Sequence, residues 1–393
     1  MTLLVTVTGN DAPGVTAALM DVLTTYGASV LDVEQVVVHG RLLLGVVIEG
    51  QGDGADVRQA LRAVATERGV EVEFDILSGS ENLTPVVRHH VVVLGMPLPP
   101  AALAGVTRRL AACGANIERV QRLSSYPAQS FELLTAGGDT AVLRAALAAE
   151  AVLQQVDVAV ERASIYRRAT RLVVLDVDST LVRGEVIELL AAEAGCLAEV
   201  ARVTEAAMRG ELDFEASLRA RVGLLAGLRV EALDRVRAAV RLTPGARTLV
   251  RTLKRMGWTV GIVSGGFTAV TDDLAAELGL DHALANELEV SDGRLTGRLL
   301  GPVVDRAAKA TALKRFAAEA GLRPEQTVAI GDGANDLDML AAAGLGIAFN
   351  AKPVVRDAAD AALNVPFLDA VLFLLGIPRH EIEQADVEEA LDG

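Results

Sequence analysis

Residues 1 to 165 alternate between short apolar strands and amphipathic helices, in an order that occurs twice. The first copy predicts a strand, a helix, two strands, a helix and a strand, at residues 3–8, 14–26, 29–38, 42–49, 55–67 and 70–77. The second copy predicts the same order, at residues 90–95, 100–113, 116–123, 132–135, 140–149 and 156–163. The segments YGASV and CGANI occupy the same place in the two copies. We therefore predict two tandem βαββαβ sandwiches over residues 1–78 and 88–168, with a polar linker at residues 78–85.

The pattern changes near residue 170, where apolar strands begin to alternate with longer helices. Strands are predicted at residues 172–175, 258–263 and 327–330, and a helical insert at residues 185–250 separates the first two. This pattern is typical of an α/β fold with a doubly wound parallel sheet, here over residues 169–377. Residues 378–393 are predicted to form a C-terminal tail.

Composition narrows the possible partners and the cellular compartment. The net charge of -15 and the aromatic content of 3% disfavour nucleic-acid binding, which needs a basic surface and stacking side chains. The apolar stretch at residues 361–378 is interrupted by polar residues, and no basic segment precedes the first strand. The two cysteines have no metal-ligand spacing. We expect a cytoplasmic protein without a nucleic-acid or membrane partner.

Polar residues follow the ends of the three predicted parallel strands. Asp176 and Asp178 follow the first strand, Ser264 and Gly265 the second, and Asp332 the third. Because ligands bind at the carboxyl ends of the strands in open α/β sheets, these side chains are expected to meet. Each residue alone could instead cap the next element or lie on the surface.

Together with Lys309, in a helix predicted to begin near residue 305, these residues resemble the motifs of the haloacid dehalogenase superfamily of phosphotransferases. The motifs are DVDST at 176–180, Ser264, Lys309 and GDGAND at 331–336, and the resemblance covers about residues 170–375. It implies that Asp176 is the nucleophile and Asp178 the general acid and base. It also implies a Mg²⁺ ion held by the Asp176 carboxylate, the Asp178 main-chain carbonyl and the Asp332 carboxylate.

The same resemblance implies roles for residues around the phosphoryl group. Ser264 and the Gly265 amide would bind its oxygens, and Lys309 would offset the negative charge. Asn335 would be a further phosphate contact. Asp336 would position either Lys309 or a metal-bound water.

The helical insert carries candidates for substrate specificity. Glu185 could face the ammonium group of a small zwitterion and Arg221 its carboxylate, while Met208 and Phe214 could form an apolar lid. The alternative is that Arg221 is an exposed helix charge and the apolar pair is core of the insert. The string at residues 207–222 resembles the branch of the superfamily whose members hydrolyse O-phosphoserine. That implies the last step of serine biosynthesis, with another small phosphorylated acid, or phosphate transfer to homoserine, as the alternatives.

The two N-terminal sandwiches resemble the ACT domain, a small ligand-binding regulatory module. The resemblance depends on element order and on the turn GNDAPG at residues 9–14. It implies binding of an amino-acid effector such as serine near Asn10, Asp11 and Gly14, and association into a homodimer. In an ordinary turn, Asp11 would instead cap the helix, with Pro13 at its first position. A catalytically idle amino-acid sensor is a further alternative, which the intact Asp176, Asp178, Lys309 and Asp332 oppose.

Overall fold

The structure, a computed structural model, describes residues 1–50, 54–77 and 86–392. It divides into two compact units, Met1–Pro85 and Val86–Gly393. The predicted linker at residues 78–85 lies outside the described residues. The α/β fold class with two N-terminal βαββαβ repeats is confirmed.

The first unit is a four-stranded antiparallel sheet with two helices. Its elements are β1 Thr2–Asn10, α1 Val15–Thr25, β2 Ser29–Val38, β3 Arg41–Glu49, α2 Ala55–Arg68 and β4 Val70–Leu77. The strand order is β2-β3-β1-β4. Every second residue of β1 is buried, because one face of the sheet packs against the helices. The edge strand β2 is exposed along its whole length.

The second repeat opens the second unit. Its elements are β5 Arg88–Gly95, α3 Pro100–Ala112, β6 Ala115–Ser124, β7 Gln129–Gly137, α4 Thr140–Gln154 and β8 Asp157–Arg162. One face of its sheet packs against α3 and α4. Val92 and Leu94, on the other face, belong to the same buried cluster as Val173 and Leu175 of the following parallel sheet. The second repeat therefore shares a core with the region that follows it.

The parallel region contains the remaining elements. They are β9 Leu172–Leu175, α5 Val186–Ala194, α6 Leu197–Met208, α7 Phe214–Gly223, α8 Glu231–Ala239, α9 Ala246–Arg255, β10 Thr259–Phe267, α10 Thr268–Leu278, β11 His282–Ser291, β12 Arg294–Leu300, α11 Arg306–Glu319, β13 Thr327–Gly331, α12 Leu337–Ala342, β14 Leu345–Phe349, α13 Pro353–Arg356, β15 Ala361–Leu363, α14 Val371–Leu374 and α15 Arg379–Asp392. Strand β9 lies between β10 and β13, parallel to both. All four of its residues are buried, as its continuous apolar run predicts.

The sheets of the second unit join into one. The strand order is β12-β11-β10-β9-β13-β14-β15-β8-β5-β7-β6. An antiparallel bridge between Ala159 and Ala361 makes the junction, and the Asp157 carboxylate accepts hydrogen bonds there from the main-chain and side-chain nitrogens of Asn364, at 2.9 and 2.6 Å. The predicted second sandwich and the predicted parallel region thus belong to one compact unit, Val86–Gly393.

Two segments differ from the sequence predictions. Strands β11 and β12 form a hairpin that the sequence analysis missed, although Asp292 and Gly293 at its turn both have positive φ, as an Asp-Gly hairpin turn requires. The predicted tail contains α15. Within the described ranges, none of the helices combines the length and the apolar composition that a membrane span requires.

Candidate active site

Asp176 follows β9 at the carboxyl edge of the parallel sheet. Its main-chain N–H donates to the Ile330 carbonyl of β13 at 2.8 Å, which extends the ladder beyond the end of β9. Its side chain is almost completely buried. The backbone of the neighbouring strand thus fixes the start of the turn that presents this carboxylate.

Lys309 connects Asp176 with Asp336. Helix α11 begins after Asp305, whose carboxylate accepts from the Ala308 N–H at 2.8 Å and caps the helix. One turn later, Lys309 is fully buried, and its Nζ lies 2.5 Å from Asp176 Oδ1 and 2.7 Å from Asp336 Oδ1. Burial alone would lower the pKa of Lys309, but the two carboxylates together raise it above its usual value. This lysine is therefore a fixed positive charge beside Asp176.

Three carboxylates form a group that could hold a cation. Oxygens of Asp176, Asp332 and Asp336 lie within 4.8 Å of one another. Thr180 Oγ1 donates to Asp332 Oδ1 at 3.2 Å. Burial, followed by the nearby Asp336 carboxylate, raises the pKa of Asp332 to about 6.

The donor set fits a hard divalent cation. Such ions prefer oxygen ligands, and Lys309 supplies only one positive charge to a group of three acids. Lys309 contacts Asp176 and Asp336 but not Asp332, which leaves Asp332 as the acid of the group without a cationic partner among the described contacts. The side chain of Asp178 is not part of the group.

The Asp178 carboxylate instead faces the helical insert and β10. Its Oδ1 accepts from the Val186 N–H at the start of α5 at 2.7 Å, and its Oδ2 accepts from Ser264 Oγ at 3.2 Å. Burial raises the pKa of Asp178 above its usual range, although these donors and Lys309 act in the opposite direction. A carboxyl group that holds its proton more firmly than usual is suited to act as an acid.

Ser264 and Gly265 lie within β10, where a bulge interrupts the pairing with β11. The buried Ser264 hydroxyl accepts from the Gly266 N–H at 2.8 Å while donating to Asp178. A Cβ at Gly266 would lie 2.9 Å from both Asp178 Oδ2 and Ser264 Oγ. Glycine is therefore required for the close approach of this turn to the Asp178 carboxylate.

A cavity of about 480 Å³ opens above these residues, between the sheet edge and the helical insert. Most of the residues predicted for catalysis, metal binding and substrate binding line it: Asp176, Asp178, Glu185, Phe214, Arg221, Gly265, Asp332 and Asn335. Ser264, Lys309 and Asp336 are buried beneath it. The Met208 side chain is not among the described side chains.

An acidic and a basic side chain of the helical insert, Glu185 and Arg221, line the cavity. Burial, followed by the charges of Asp178 and Asp332, raises the pKa of Glu185 to about 7. Burial lowers the pKa of Arg221, although the Glu185 and Asp178 carboxylates oppose this. Phe214 packs so closely on Gly265 that a Cβ there would lie 3.0 Å from its ring.

The sequence analysis missed two charged residues of the cavity, Glu188 and Lys352. Lys352 follows β14, which is parallel to β13, so its strand end lies at the same sheet edge. The rule that found Asp332 could therefore have found Lys352. Glu188 lies on α5 three residues after Glu185, a spacing that places both on one side of a helix turn.

The predicted effector turn lies in the first unit. Asn10, Asp11 and Gly14 are exposed, and Asn10 Oδ1 accepts from Arg41 at 3.1 Å. The alternative in which Asp11 caps the helix is wrong, because α1 begins at Val15 after Gly14 and no side chain caps it. Gly14, at φ 89°, makes the turn into the helix.

The fold and the site define a haloacid dehalogenase-like hydrolase with two ACT domains. The family model for haloacid dehalogenase-like hydrolases matches residues 173–341, and two ACT domain models match residues 1–75 and 87–161. The phosphoserine phosphatase of Streptomyces coelicolor is 57% identical over 98% of this chain and 94% of its own length. The chain belongs to the phosphoserine phosphatase family.

Two further comparisons agree with this assignment. The phosphoserine phosphatase SerB2 of Mycobacterium tuberculosis is 51% identical over 98% of this chain and 96% of its own length. A solved structure described as a phospho-aspartyl intermediate analogue of phosphoserine phosphatase is 43% identical, with a TM-score of 0.50, and covers 52% of this chain and 98% of its own.

Proposed function

We propose that this chain hydrolyses O-phosphoserine to serine and phosphate, the last step of serine biosynthesis, through an aspartyl-phosphate intermediate. The observation that carries the proposal is the placement of two acids with different partners. Burial raises the pKa of both acids, but Asp176 is paired with a buried lysine and suits a nucleophile, whereas Asp178 accepts from two neutral donors, the Val186 N–H and the Ser264 hydroxyl, and suits an acid. The intermediate analogue of a relative supports the covalent route.

In the first step, a carboxylate oxygen of Asp176 forms a bond to phosphorus and the bond from phosphorus to the serine oxygen breaks. Asp178 gives its proton to that departing oxygen. In the second step, water attacks the aspartyl phosphate and Asp178 takes a proton from it. The bond between Asp176 and phosphorus then breaks and phosphate leaves.

The other residues orient the phosphoryl group and balance its charge. Ser264 and the Gly265 amide would bind phosphoryl oxygens, Asn335 would contact the same group, and Lys309 would stay charged beside it. Mg²⁺ is the cation we propose, held by the Asp176 and Asp332 carboxylates and the Asp178 carbonyl, and it would neutralise charge on the phosphoryl oxygens. Asp336 would position Lys309, as its 2.7 Å contact supports.

The helical insert would select the substrate. Glu185 would bind the ammonium group and Arg221 the carboxylate, while Phe214, with Met208, would limit access of water. An anion and a cation on the same cavity wall favour a zwitterion over phosphoglycolate, which has no amine. Another small phosphorylated acid remains the alternative, and relative turnover of phosphoserine and phosphoglycolate separates the two.

The central test is release of inorganic phosphate from O-phosphoserine. We expect release with magnesium and almost none with a chelator. Asp176→Asn should abolish turnover while leaving the fold intact, because the amide fills the same space but cannot form the intermediate. Asp338→Asn is the matched control, since Asp338 pairs with Arg306 on the surface and should leave turnover unchanged. Normal turnover by Asp176→Asn would exclude the covalent mechanism.

We also propose that an amino acid such as serine binds at Asn10, Asp11 and Gly14 and regulates the enzyme. No side chain caps the N-terminus of α1, which supports binding of a carboxylate there. Calorimetry with serine should show binding that persists in Glu185→Gln, in which binding of serine at the catalytic cavity is weakened. A titration that shows no heat under these conditions would count against an effector site.

A homodimer and a cytoplasmic location complete the proposal. The exposed edge strand β2 carries a series of exposed apolar side chains, which supports association with a second copy: Val30, Leu31, Val33, Val36, Val37 and Val38. The mass in solution tests this. Cys113 and Cys196 are both free thiols, as is usual in a reducing compartment.

A further inference from the structure

Strand β10 separates from its parallel partner β11 at the turn that carries Ser264 and Gly265. The register pairs Val263 with Leu284 and next pairs Phe267 with Asn286, so β10 contains extra residues between these two pairs. A bulge of this kind removes regular ladder hydrogen bonds. The buried main-chain groups of the bulge then need other partners.

The side chain of Asn286 supplies those partners. Asn286 is 2% exposed, and its Nδ2 donates to the Gly265 carbonyl at 2.8 Å and to the Gly266 carbonyl at 3.3 Å. These carbonyls belong to two successive peptides, Gly265–Gly266 and Gly266–Phe267. The conformation of the turn is therefore fixed by a side chain on the neighbouring strand.

The same amide also holds the segment that leads to Lys309. Asn286 Oδ1 accepts from the Val304 N–H at 2.8 Å. The next residue, Asp305, caps α11, and its carbonyl accepts from the Lys309 N–H at 3.0 Å. One buried amide thus connects the turn of Ser264 and Gly265 with the start of the helix that carries Lys309.

Only a side chain with both a donor and an acceptor can make this connection. A carboxylate would lose the donors, and an aliphatic residue would lose both functions and leave buried carbonyls without partners. Asparagine has the required pair on a short, stiff side chain. The burial of Asn286 and its three hydrogen bonds indicate that it fixes the conformation of the turn in addition to filling space in the core.

We propose that Asn286 is a positioning residue that sets the distance between the Ser264–Gly265 turn and Lys309, and hence the site of the phosphoryl group. The inference rests on the proposed function, because it assigns phosphate binding to that turn. It predicts a defect in phosphate recognition and in turnover. Recognition of the serine portion of the substrate, which is assigned to Glu185 and Arg221, should not change.

The test compares Asn286→Ala and Asn286→Asp with the unmodified full-length chain in the presence of magnesium. Calorimetry measures the Kd of inorganic phosphate and, separately, that of serine at the catalytic cavity, and steady-state assays measure kcat. We expect kcat to fall by about 10- to 100-fold. Removal of a donor that contacts the phosphoryl group directly would lower kcat by as much or more. The Kd of phosphate should rise by about 10-fold in both variants, since both lose the donors to the turn. The Kd of serine should stay the same.

Leu288→Ala is the matched control. Leu288 lies two residues further along β11, is 7% exposed and belongs to the main core, so its truncation loses packing without changing the turn. It should lower the melting temperature while leaving both dissociation constants unchanged. If the Asn286 variants behave in the same way, with unchanged phosphate binding and unchanged kcat per folded molecule, the inference is wrong.

The outcome can be separated from that of the proposed function. An unmodified chain that releases no phosphate from phosphoserine would refute the proposed substrate. Weaker binding of inorganic phosphate in the Asn286 variants would still support the positioning role in that case. If the unmodified enzyme hydrolyses phosphoserine and the Asn286 variants keep its kcat and its Kd for phosphate, the positioning role alone is refuted.

Discussion

Glu185 combines a cavity position with an unusual protonation equilibrium. It immediately precedes α5, and its Oε1 lies 3.4 Å from the Ser179 hydroxyl. Burial and the nearby carboxylates of Asp178 and Asp332 raise its pKa to about 7. Near neutrality, a large part of the free enzyme would therefore carry a neutral Glu185, which cannot pair with an ammonium group.

Glu185→Gln should raise the KM for phosphoserine by about 10- to 100-fold, because a charge-assisted hydrogen bond to the substrate is lost. The change should also alter the pH dependence. Glu185 loses its proton as the pH rises through about 7, so the KM of the unmodified enzyme should fall over this range more steeply than that of the variant, in which Asp332, with its pKa of about 6, still titrates. Steady-state assays between about pH 6 and pH 8, roughly one unit on either side of the Glu185 pKa, measure both effects.

Glu193→Gln provides the control for this comparison. Glu193 lies on the same helix but pairs with Arg235 on the surface. Its variant should keep the KM and the pH profile of the unmodified enzyme. An unchanged profile in Glu185→Gln would exclude Glu185 from ammonium binding.

The residues that the sequence could identify are those tied to strand ends. Asp176 and Asp332 follow uninterrupted apolar runs, and their meeting at one sheet edge follows from the parallel fold alone. Asn286 gave no such signal. Its function depends on a bulge in another strand, which only the folded pairing of β10 and β11 reveals.

At the scale of elements, apolar patterning located the buried strands better than the half-exposed ones. Strands β9 and β13 are buried along their whole length and read as continuous apolar segments. Strand β11 contains exposed polar residues and crosses a register shift, so its periodicity is interrupted. The Asp292-Gly293 turn was the local signal that could have identified this hairpin.

The helices of the insert were predicted only as a group, over residues 185–250. Their function depends on which faces point at the cavity. Arg221 on α7 lines it, while Arg219 pairs with Glu215 on the surface. Two arginines on one short helix thus serve different purposes, and their sequence spacing did not separate them.

At the scale of the whole molecule, the second repeat is joined to the catalytic region by shared sheet and shared core. Asp157 stands at this junction, 4% exposed, with both carboxylate oxygens bonded to Asn364. The residues beside Asn364 in turn accept hydrogen bonds from Asn350, which follows β14: its N–H donates to the Leu363 carbonyl and its Nδ2 to the Val365 carbonyl. The repeat therefore contacts the catalytic sheet through a buried acid.

This buried acid should give the junction a pH-dependent stability. Burial raises the pKa of Asp157 from 3.8 to about 6, although the Asn364 donors act in the opposite direction. The folded state holds the Asp157 proton up to a higher pH than the unfolded state does. This protonation stabilises the folded state fully below pH 3.8, and the contribution is lost as the pH rises through about 6. The difference between the two values corresponds to at most roughly 3 kcal/mol.

Asp157→Asn should therefore flatten the fall in melting temperature between about pH 4 and pH 6, the range between the unfolded and folded pKa values of Asp157, because its side chain stays neutral. Scanning calorimetry on the unmodified chain and the variant measures this, and the comparison cancels the contributions of Glu185 and Asp332, whose pKa values are also raised. Asp360→Asn is the control at the same junction. It removes the ion pair with Arg144 but leaves the Asp157 carboxyl in place, so the fall attributed to Asp157 should remain. If Asp157→Asn keeps the slope of the unmodified chain, the buried carboxyl does not titrate on unfolding and the junction is not sensitive to pH through this residue.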